Sequence, residues 1–466
     1  MIPQIIRRLF GGAVSITDPL STPLFKERLA FLHESQWWSA DKMAAYQFER
    51  LKNIIVHAYH RVPFYRNRYR ALHLTPDDLT SLQDIKKFPT ITKQTIQENH
   101  RDFIPEGVAA DTLYQRSTGG STGVPLTIMM DLDHRARDHA NTEYYMNLAG
   151  LSIFSYRSAR LYGDKIPENV AAKGEYWYIK DDRQLVLSCY HIMKETVREY
   201  VAKLNEFQPV YIHSRPSAIY PLCEQMARND LRLKVSLKGL FLDGEMLPEG
   251  QRNLLEQVFG CPVFMIYGHT EGCVVGVTIP PSRDLHFLPQ VGLLELLSPD
   301  GSEVSRDGER GEMVVTGFSN FMFPLIRYRT FDIAIQTKRL CPGNRPYKTV
   351  EQVEGRIQDY AINKHHNAIP LAPAFFNYND MDWKGIRQFQ VVQEAVGKLI
   401  LKIVREPETE ESPAAMRGRI LEKIGQILGN TFDLDLLYVE EIPRTRLGKF
   451  RYLDQKLDMQ SLIRDR

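Results

Sequence analysis

Short apolar strands alternate with amphipathic helices between residues 210 and 267, and this order is the strongest constraint on the fold. The strand candidates and the helices between them are Val210–Ile212, Ser217–Arg228, Leu237–Leu242, Pro248–Phe259 and Pro262–Tyr267. Strands and helices at this spacing form βαβ units, in which the helices cover a mainly parallel sheet. Such a sheet binds ligands at the carboxyl ends of its strands. The pattern therefore predicts an α/β body with a binding site along one edge.

The flanking regions follow other patterns. Apolar residues recur at helical spacing over residues 24–72, with a break at Val62–Tyr65 where proline intervenes, and Ser81–Lys87 predicts a further short helix. Between residues 285 and 335, strands separated by Gly- and Asp-rich turns predict an antiparallel sheet or barrel. These strands are Leu293–Leu297, Glu312–Thr316 and Ile333–Gln336.

Strands and a helix continue beyond residue 358, at Phe389–Gln393, Leu399–Val404 and Ala415–Leu428. We expect a multidomain α/β protein, since a chain of 466 residues has room for two to four domains of about 100–200 residues. The predicted large N-terminal domain, residues 1–357, combines mainly parallel βαβ sheets with an antiparallel barrel-like subdomain. Residues 358–466 form the predicted small α+β C-terminal domain.

The balance of charges and the sparse cysteines limit the classes of function. The 59 basic and 57 acidic residues give a formal net charge of +2, so the chain has no basic field for nucleic acid or anionic lipid. Five cysteines form no CxxC pair, which is typical of reduced thiols in a reducing compartment. No apolar run approaches the roughly 18 residues that span a membrane. We expect a cytoplasmic protein without a transmembrane segment.

A loop of glycines and hydroxyl residues spans residues 117–123. Its members are Ser117, Thr118, Gly119, Gly120, Ser121, Thr122 and Gly123. Glycines let backbone N–H groups approach an anion, and hydroxyls add donors to phosphate oxygens. The lysine of a Walker A loop is missing. Taken alone, the loop fits phosphate binding and a flexible linker equally well.

Two further motifs offer carboxylates. Tyr267-Gly268-His269-Thr270-Glu271-Gly272 directly follows a predicted parallel strand, where the Tyr267 ring could stack on a purine and Glu271 could hold Mg²⁺. Asp332 ends the run from Pro324, and its carboxylate could accept hydrogen bonds from ribose hydroxyls. The bland alternatives are a solvated loop carboxylate for Glu271 and a surface Arg–Asp pair for Asp332.

Two further motifs lie nearer the C-terminus, at Glu354–Asp359 and Ile442–Arg451, and the second is a basic, turn-rich loop. Lys449 in the second is flanked by glycine and could stabilise charge that develops on a phosphate during reaction. A solvated basic loop is the alternative. Cys261, His269, Cys273 and His286 are residue types that bind zinc, but their spacing is not that of a zinc ribbon or finger, which disfavours a zinc site.

The five motifs occur in one order along the chain, at residues 117, 267, 324, 355 and 443. Together they resemble the adenylate-forming superfamily of acyl-CoA synthetases, adenylation domains and luciferases, and the resemblance covers nearly the whole chain. Within it, the sequence is most similar to the phenylacetate–CoA ligase branch, which includes relatives associated with capsular polysaccharide. The segments typical of that branch are His57-Ala58-Tyr59, Val62–Tyr65, Phe88–Lys93 and Pro324–Arg329.

The resemblance implies roles for the matched positions. Residues 117–123 would wrap the β- and γ-phosphates of ATP, Asp243-Gly244-Glu245 would pack on adenine, and Tyr267 and Gly268 would lie beside it. Thr270 would contact the α-phosphate, Glu271 would hold Mg²⁺, Asp332 would bind the ribose, and Arg356 would bind near ribose and phosphates. Lys449, on a mobile C-terminal lid, would bridge the substrate carboxylate and the α-phosphate. The acyl pocket would include His269, Tyr211 and His213, although core packing explains Tyr211 and His213 equally well.

Three positions depart from the pattern of the wider superfamily. Leu126 stands where many relatives have lysine after the phosphate loop, as in the phenylacetate ligase branch. Phe331 stands where glycine usually precedes the ribose-binding aspartate. Gln358, followed by Asp359, stands at the hinge between the domains.

The implied activity is ATP-dependent conversion of a carboxylic acid, with an aromatic acid favoured by the branch, to acyl-AMP and then to a CoA thioester. ATP, Mg²⁺ and CoA would be the cofactors, and a homodimer is common in the branch. An adenylating enzyme that delivers the acyl group to an amine or a carrier protein is one alternative. A nucleotide-binding protein without catalytic activity is another, disfavoured because Glu271, Asp332, Arg356 and Lys449 are present together.

Overall fold

The structure is a computed structural model. It describes residues 22–117, 126–153, 156–162, 164, 166–180, 182–189, 191–192, 194–356, 360–365, 368–371, 384–443 and 451–458. The α-helices within this part are α1 (Pro23–Ser35), α2 (Ala40–Arg61), α3 (Pro63–Ala71), α4 (Lys93–Glu98), α5 (Leu132–Leu148), α6 (Glu168–Ala171), α7 (Val197–Phe207), α8 (Pro216–Arg228), α9 (Glu249–Phe259) and α10 (Pro413–Leu428).

The strands belong to one large sheet, one four-stranded sheet and two hairpins. They are β1 (Tyr114–Ser117), β2 (Thr127–Met130), β3 (Ser158–Tyr162), β4 (Trp177–Lys180), β5 (Gln184–Ser188), β6 (Tyr211–Ser214), β7 (Gly239–Asp243), β8 (Val263–Gly268), β9 (Val275–Thr278), β10 (Leu285–Phe287), β11 (Gly292–Leu297), β12 (Arg310–Gly317), β13 (Tyr328–Gln336), β14 (Lys348–Arg356), β15 (Tyr360–Ile362), β16 (Ala368–Pro370), β17 (Ile386–Ala395), β18 (Lys398–Arg405), β19 (Asp433–Tyr438) and β20 (Leu453–Gln455).

The predicted βαβ region forms the parallel part of the large sheet. Strands β5, β3, β6, β7 and β8 lie side by side and run parallel. Helices α8 and α9 connect β6 to β7 and β7 to β8. Buried leucines on these strands pack against the helices, as in the contact of Leu240 and Leu242 with the cluster that holds Leu222 and Leu255. The sequence prediction for this region is confirmed.

The antiparallel strands extend the same sheet. Strand β9 pairs antiparallel with β8, and the order then continues through β10, β14, β13 and β12 to β11. The sequence predicts an antiparallel sheet or barrel-like subdomain here, and the antiparallel pairing is confirmed. These strands are continuous with the parallel ones, so that twelve strands share one mixed sheet.

The N-terminal helices are shorter than the sequence pattern predicts. The break at Val62–Tyr65 is confirmed, since α2 ends at Arg61 and Pro63 occupies the first turn of α3, where a missing N–H costs least. A second break lies between α1 and α2. There the Ser39 side chain accepts a hydrogen bond from the Lys42 N–H and starts a new helix.

The C-terminal region has a core of its own. Strands β19, β18, β17 and β20 form a four-stranded sheet, and α10 packs on it with Met416, Ile420 and Ile424. These residues recur every four positions and so lie on one face of the helix. The division at residues 357 and 358 stays a prediction, because residues 357–359 lie outside the described part. No helix in the described part is long and apolar enough to cross a membrane.

Candidate active site

Two of the predicted site segments leave the same edge of the large sheet. The parallel strands β6, β7 and β8 end at Ser214, Asp243 and Gly268. The Asp243–Glu245 and Tyr267–Gly272 segments therefore leave neighbouring strands at the carboxyl edge, where α/β sheets bind ligands.

Glu271 is buried and fully hydrogen-bonded. Its carboxylate accepts a hydrogen bond from the Tyr328 hydroxyl at 2.8 Å, and its other oxygen lies 3.2 Å from His269 Nδ1. Burial by itself would raise the pKa of Glu271, but the contacts with His269 and Tyr328 outweigh it and bring that pKa to about 2. The carboxylate is therefore held ionised in a buried position.

Asp332 lies on β13 and contacts Tyr267 near the end of β8. The Tyr267 hydroxyl donates to Asp332 Oδ2 at 2.6 Å, so the motif after β8 and the motif on β13 meet directly. In the antiparallel pairing of β13 with β14, Asp332 stands opposite Arg356. The side chain of Arg356 lies outside the described part, yet its backbone is placed beside the predicted ribose contact.

Phe331, just before Asp332, adopts a backbone conformation that usually selects glycine. Its φ is +60°, in the left-handed region that side chains disfavour by about 1–2 kcal/mol. The Arg329 guanidinium lies 5.4 Å from the Phe331 ring centroid, a distance at which a cation attracts the face of an aromatic ring. Phe331 thus occupies a position that glycine would adopt without strain.

The four segments typical of the branch hold Tyr328 in place. The Tyr65 hydroxyl donates to Pro324 O and accepts from Ile326 N, both at 3.0 Å. Ile91 pairs with Tyr328 as an isolated parallel bridge. His57 Nε2 lies 2.8 Å from Phe321 O. Segments that are separated by more than 200 residues thus converge on the strand that supplies the hydroxyl donor of Glu271.

A buried ion pair completes this arrangement. Arg327 donates to both oxygens of Glu295 at 3.1 and 2.9 Å and also to Phe88 O at 2.7 Å. Both side chains are less than a tenth exposed. Removing one partner of such a pair strands a buried charge, so Arg327 fixes the register of the segment just before Tyr328.

A second polar network lies at the ends of β3, β6 and β7. His213 Nε2 lies 3.1 Å from Asp243 Oδ2 and 3.0 Å from the Tyr162 hydroxyl. Burial opposes ionisation of Asp243, but the contacts with His213, Tyr162 and Arg215 lower its pKa overall. The Nε2 side of the His213 ring therefore faces both Asp243 and Tyr162.

Glu245 and Tyr211 take other positions. The Glu245 carboxylate accepts from the backbone N–H and the hydroxyl of Ser217, both at 2.9 Å, and so caps the start of α8. Tyr211 lies at the opposite end of β6 from the site, buried against Phe241 and Met146. The structure thus brings His213 to the site edge and leaves Tyr211 in the core.

Only some of the remaining predicted site residues lie in the described part of the chain. Thr270 and His269 follow Gly268 in the same loop, and His269 Nε2 is buried without a partner among the described residues. Ser117 is the last residue of β1, and Leu126, after the loop, is buried. The predicted positions outside the described part are residues 118–123, Gln358, Asp359 and Lys449.

The structure adds residues that the sequence did not single out. Tyr328 donates to Glu271, and the Tyr162 hydroxyl lies 3.0 Å from His213 Nε2. A tyrosine at a strand end gives no sign in sequence of which side chain it contacts. His134, in the first turn of α5, is also buried against the site loop. A Cβ placed on Gly272 would lie 3.3 Å from His134 Nε2. The glycine at 272, with its φ of +67°, was the available signal of this close approach.

No group of three or more metal-binding side chains occurs among the residues that the structure describes. In particular, Cys261, Cys273, His269 and His286 do not form one. His286 instead lies 3.0 Å from Thr349 Oγ1.

Two family models match the sequence. The model described as AMP-binding enzyme matches residues 184–323, and the one described as CapK C-terminal domain matches residues 372–456. The chain is 28% identical to the phenylacetate-coenzyme A ligase of Pseudomonas putida over 73% of this chain and 76% of that protein. It is 25% identical to Protein CapK of Staphylococcus aureus over 84% of each.

A solved structure with the same fold is 2-hydroxyisobutyryl-CoA ligase in its postadenylation state. The TM-score is 0.70 and the identity is 20%, with 97% of each chain covered. At this identity the likeness concerns the fold alone, and it confirms the predicted α/β architecture with a smaller C-terminal domain. The sequence matches go further: they support the adenylate-forming superfamily, in the branch that contains the phenylacetate–CoA ligases and CapK.

Proposed function

We propose that this chain is an AMP-forming acid–CoA ligase. It activates a carboxylic acid with ATP, releases pyrophosphate and transfers the acyl group to the thiol of CoA. The observation that carries the proposal is the joining of two distant motifs by the Tyr267–Asp332 and Tyr328–Glu271 hydrogen bonds. These contacts place one ionised buried carboxylate and one oriented carboxylate at the carboxyl edge of a parallel sheet.

The first step joins two anions. A substrate carboxylate oxygen attacks the α-phosphorus of ATP, a C–O–P linkage forms, and the bond to the β-phosphate breaks as pyrophosphate leaves. The protein must hold the reactants in line and offset their repulsion. Asp332 would fix the nucleotide through its ribose, with Tyr267 holding the carboxylate, and Lys449 would offset charge between the two reactants.

Magnesium suits the donors at this site. Mg²⁺ prefers one or two carboxylates together with substrate phosphate oxygens rather than a cage of protein ligands. Glu271 is a single ionised carboxylate in such a position, and His269 Nε2 beside it is a buried polar atom with no partner in the described part. Bound there, the ion would neutralise phosphate charge. Glu271 would hold the ion, and Thr270 would contact the α-phosphate.

The second step moves the acyl group. The thiol sulfur attacks the acyl carbon, a C–S bond forms, the C–O bond to AMP breaks, and the thiol proton passes to solvent. The pocket for the acid would be lined by His269 and His213, whose Nδ1 faces away from Asp243. An aromatic acid is the favoured substrate by likeness to the phenylacetate ligases.

A second candidate function shares the first step. The C-terminal residues 372–456 match the CapK C-terminal domain, and that region carries the lid in the proposed architecture. The acceptor in this alternative is an amine or a carrier protein. A cytoplasmic location and a homodimer both stay predictions.

Pyrophosphate release tests the proposal. Purified protein is incubated with ATP and Mg²⁺ over a panel of aromatic, aliphatic and amino acids, with and without CoA, and hydroxylamine traps any acyl-adenylate as a hydroxamate. Release that depends on one acid and accelerates with CoA is the expected result. Acid-dependent release whose rate does not change with CoA favours an amine or a carrier protein as the acceptor. Absence of pyrophosphate release with every acid contradicts the proposal.

A further inference from the structure

A cavity lies where α1, α2 and α5 meet, apart from the carboxyl edge of the sheet that holds Glu271. Its volume is about 290 Å³. Each helix contributes one arginine to the lining: Arg28, Arg50 and Arg137. Aromatic rings form much of the remaining wall, at Phe31, Tyr46 and Phe318. Glu27 is a carboxylate among the lining residues, so basic groups dominate the cavity.

Neutral oxygen atoms accept hydrogen bonds from only some of the N–H donors of these three arginines. Arg28 donates to Asn141 Oδ1 at 3.2 Å and Gln290 O at 2.9 Å, and Arg50 donates to Phe318 O at 3.0 Å. Arg50 Nε is buried without a partner among the described residues. Arg137 has a distant contact, 3.9 Å, with an exposed carboxylate. The charge that is gathered here is therefore largely uncompensated by the described residues.

The grouping of three arginines affects the pKa of Arg28. Burial lowers the pKa of Arg28. The contact with Tyr46 offsets part of this effect, and the neighbouring positive charges of Arg50 and Arg137 lower the pKa further. Like charges that are partly desolvated favour an anion in the space between them. Arginine is also the residue best suited to phosphate, because its planar fork donates two parallel hydrogen bonds.

The aromatic wall narrows the class of ligand. Arg28 lies 5.4 Å from the Phe31 ring centroid, and the Phe31 and Tyr46 rings lie 5.2 Å apart. Arginines beside aromatic faces bind phosphates and a planar base together. We propose that this cavity binds a phosphorylated adenosine that is distinct from the ATP consumed at the site edge. Two sources share this chemistry: the phosphoadenosine end of the CoA acceptor, and a free adenine nucleotide.

The position of the cavity favours the CoA source. Ser319, in the cavity wall, lies 3.2 Å from His134 Nδ1, and His134 Nε2 faces Gly272 in the loop that carries Glu271. The cavity and the site loop are thus separated by one imidazole ring. CoA carries its thiol on a long flexible arm, so its phosphates could bind here while the thiol reaches the acyl carbon. This assignment rests on the proposed function.

The test uses Arg137→Gln, because the other two arginines also hold backbone carbonyls. Initial rates with CoA and with dephospho-CoA, which lacks the 3′-phosphate, are compared for wild type, Arg137→Gln and the control Arg101→Gln, an exposed arginine elsewhere. We expect Arg137→Gln to raise the KM for CoA about tenfold, as for loss of a charge-assisted hydrogen bond. That rise should exceed any change in the KM for ATP, and the preference for CoA over dephospho-CoA should shrink.

Direct binding separates the two sources and keeps the test independent of turnover. Calorimetry with adenosine 3′,5′-bisphosphate that shows Arg137-dependent binding, displaced by CoA, supports the CoA source. A second ATP equivalent whose binding depends on Arg137, and which CoA does not displace, supports a free nucleotide. Binding of neither probe, or binding that Arg137→Gln leaves intact, overturns the inference. Acid-dependent ATP–pyrophosphate exchange in the same preparations reports on the proposed function separately.

Discussion

Phe331 stands where the wider superfamily usually has glycine, and its backbone is one that glycine favours. Its φ is left-handed, a conformation that normally selects glycine. The phenyl ring contacts the Arg329 guanidinium. The sequence identifies Phe331 as unusual but does not predict its backbone conformation. Whether the backbone accepts a strained φ or takes a different course depends on the contacts of the phenyl ring.

Substitutions at Phe331 should separate backbone strain from ring contacts. Phe331→Gly and Phe331→Ala both remove the ring, but only glycine relieves the left-handed conformation. We expect the glycine variant to be more stable than the alanine variant by about 1 kcal/mol, measured by urea denaturation. An alanine variant as stable as the glycine variant would contradict the assigned φ.

His286 is a fully buried side chain beside Thr349, which its position in the sequence did not indicate. Burial lowers the pKa of His286 to about 4, outweighing the nearby Asp284 carboxylate. The folded protein thus binds fewer protons than the unfolded chain between pH 6.5 and 4. Stability that this neutral histidine contributes is fully present above pH 6.5 and is lost as the pH falls through that window.

The pH dependence of unfolding checks this assignment. A shift from 6.5 to about 4 corresponds to roughly 3 kcal/mol. Wild type should therefore lose more stability than His286→Gln between pH 6.5 and 4, with His60→Gln as a control for loss of an exposed imidazole. Parallel curves for wild type and His286→Gln would rule out a buried neutral His286.

At the scale of elements, the helix α3 and the segment before β13 stabilise each other through one hydroxyl. Tyr65 satisfies both a carbonyl and an N–H of the 324–326 segment. Tyr69, one turn later on α3, is also fully buried, but its hydroxyl has no partner among the described residues. The two tyrosines are therefore a matched pair for measuring what the hydroxyl contributes.

Removing each hydroxyl should give opposite results. Tyr65→Phe leaves a buried carbonyl and a buried N–H unpaired, and we expect a loss of about 2 kcal/mol in the free energy of unfolding. Tyr69→Phe should be neutral or slightly stabilising, since it removes an unsatisfied polar atom. Denaturation midpoints at constant m-value measure both, and equal losses would show that the Tyr65 contacts carry no special weight.

Elements with local signals were predictable and their long-range pairing was not. The strands and helices between Tyr211 and Gly268 follow from periodicity, because each βαβ unit is complete within a short stretch of chain. The pairing of β10 with β14 joins segments more than 60 residues apart, and nothing in the local pattern specifies it. The sequence therefore predicts the antiparallel strands but not their continuity with the main sheet.

At the scale of the whole molecule, the small C-terminal domain is attached near its proposed hinge by side-chain hydrogen bonds. The Tyr360 hydroxyl donates to Glu354 Oε2 at 2.9 Å on β14. On the other side, Gln455 Nε2 donates to Tyr360 O at 2.8 Å. Tyr360 thus contacts residues on both sides of the predicted domain boundary. Glu354 belongs to a motif that the sequence singled out, but Tyr360 and Gln455 lie outside every motif.

Lys449 should matter for one half-reaction only. In the proposed mechanism it stabilises charge during adenylation and withdraws before thioester formation. We expect Lys449→Ala to reduce acyl-AMP formation by at least a hundredfold and to spare CoA thioester formation from supplied acyl-AMP. Single-turnover assays of each half-reaction measure this, and an equal loss in both would remove Lys449 from its assigned role.

The proposed activity depends on reversible formation of an acyl-adenylate at the edge that holds Glu271. Acid-dependent exchange of labelled pyrophosphate into ATP measures that step directly, without any acceptor. We expect exchange that requires one acid of the panel and that Glu271→Gln reduces by at least tenfold while the protein remains folded. Exchange that is absent with every acid, or that Glu271→Gln leaves intact, would contradict it.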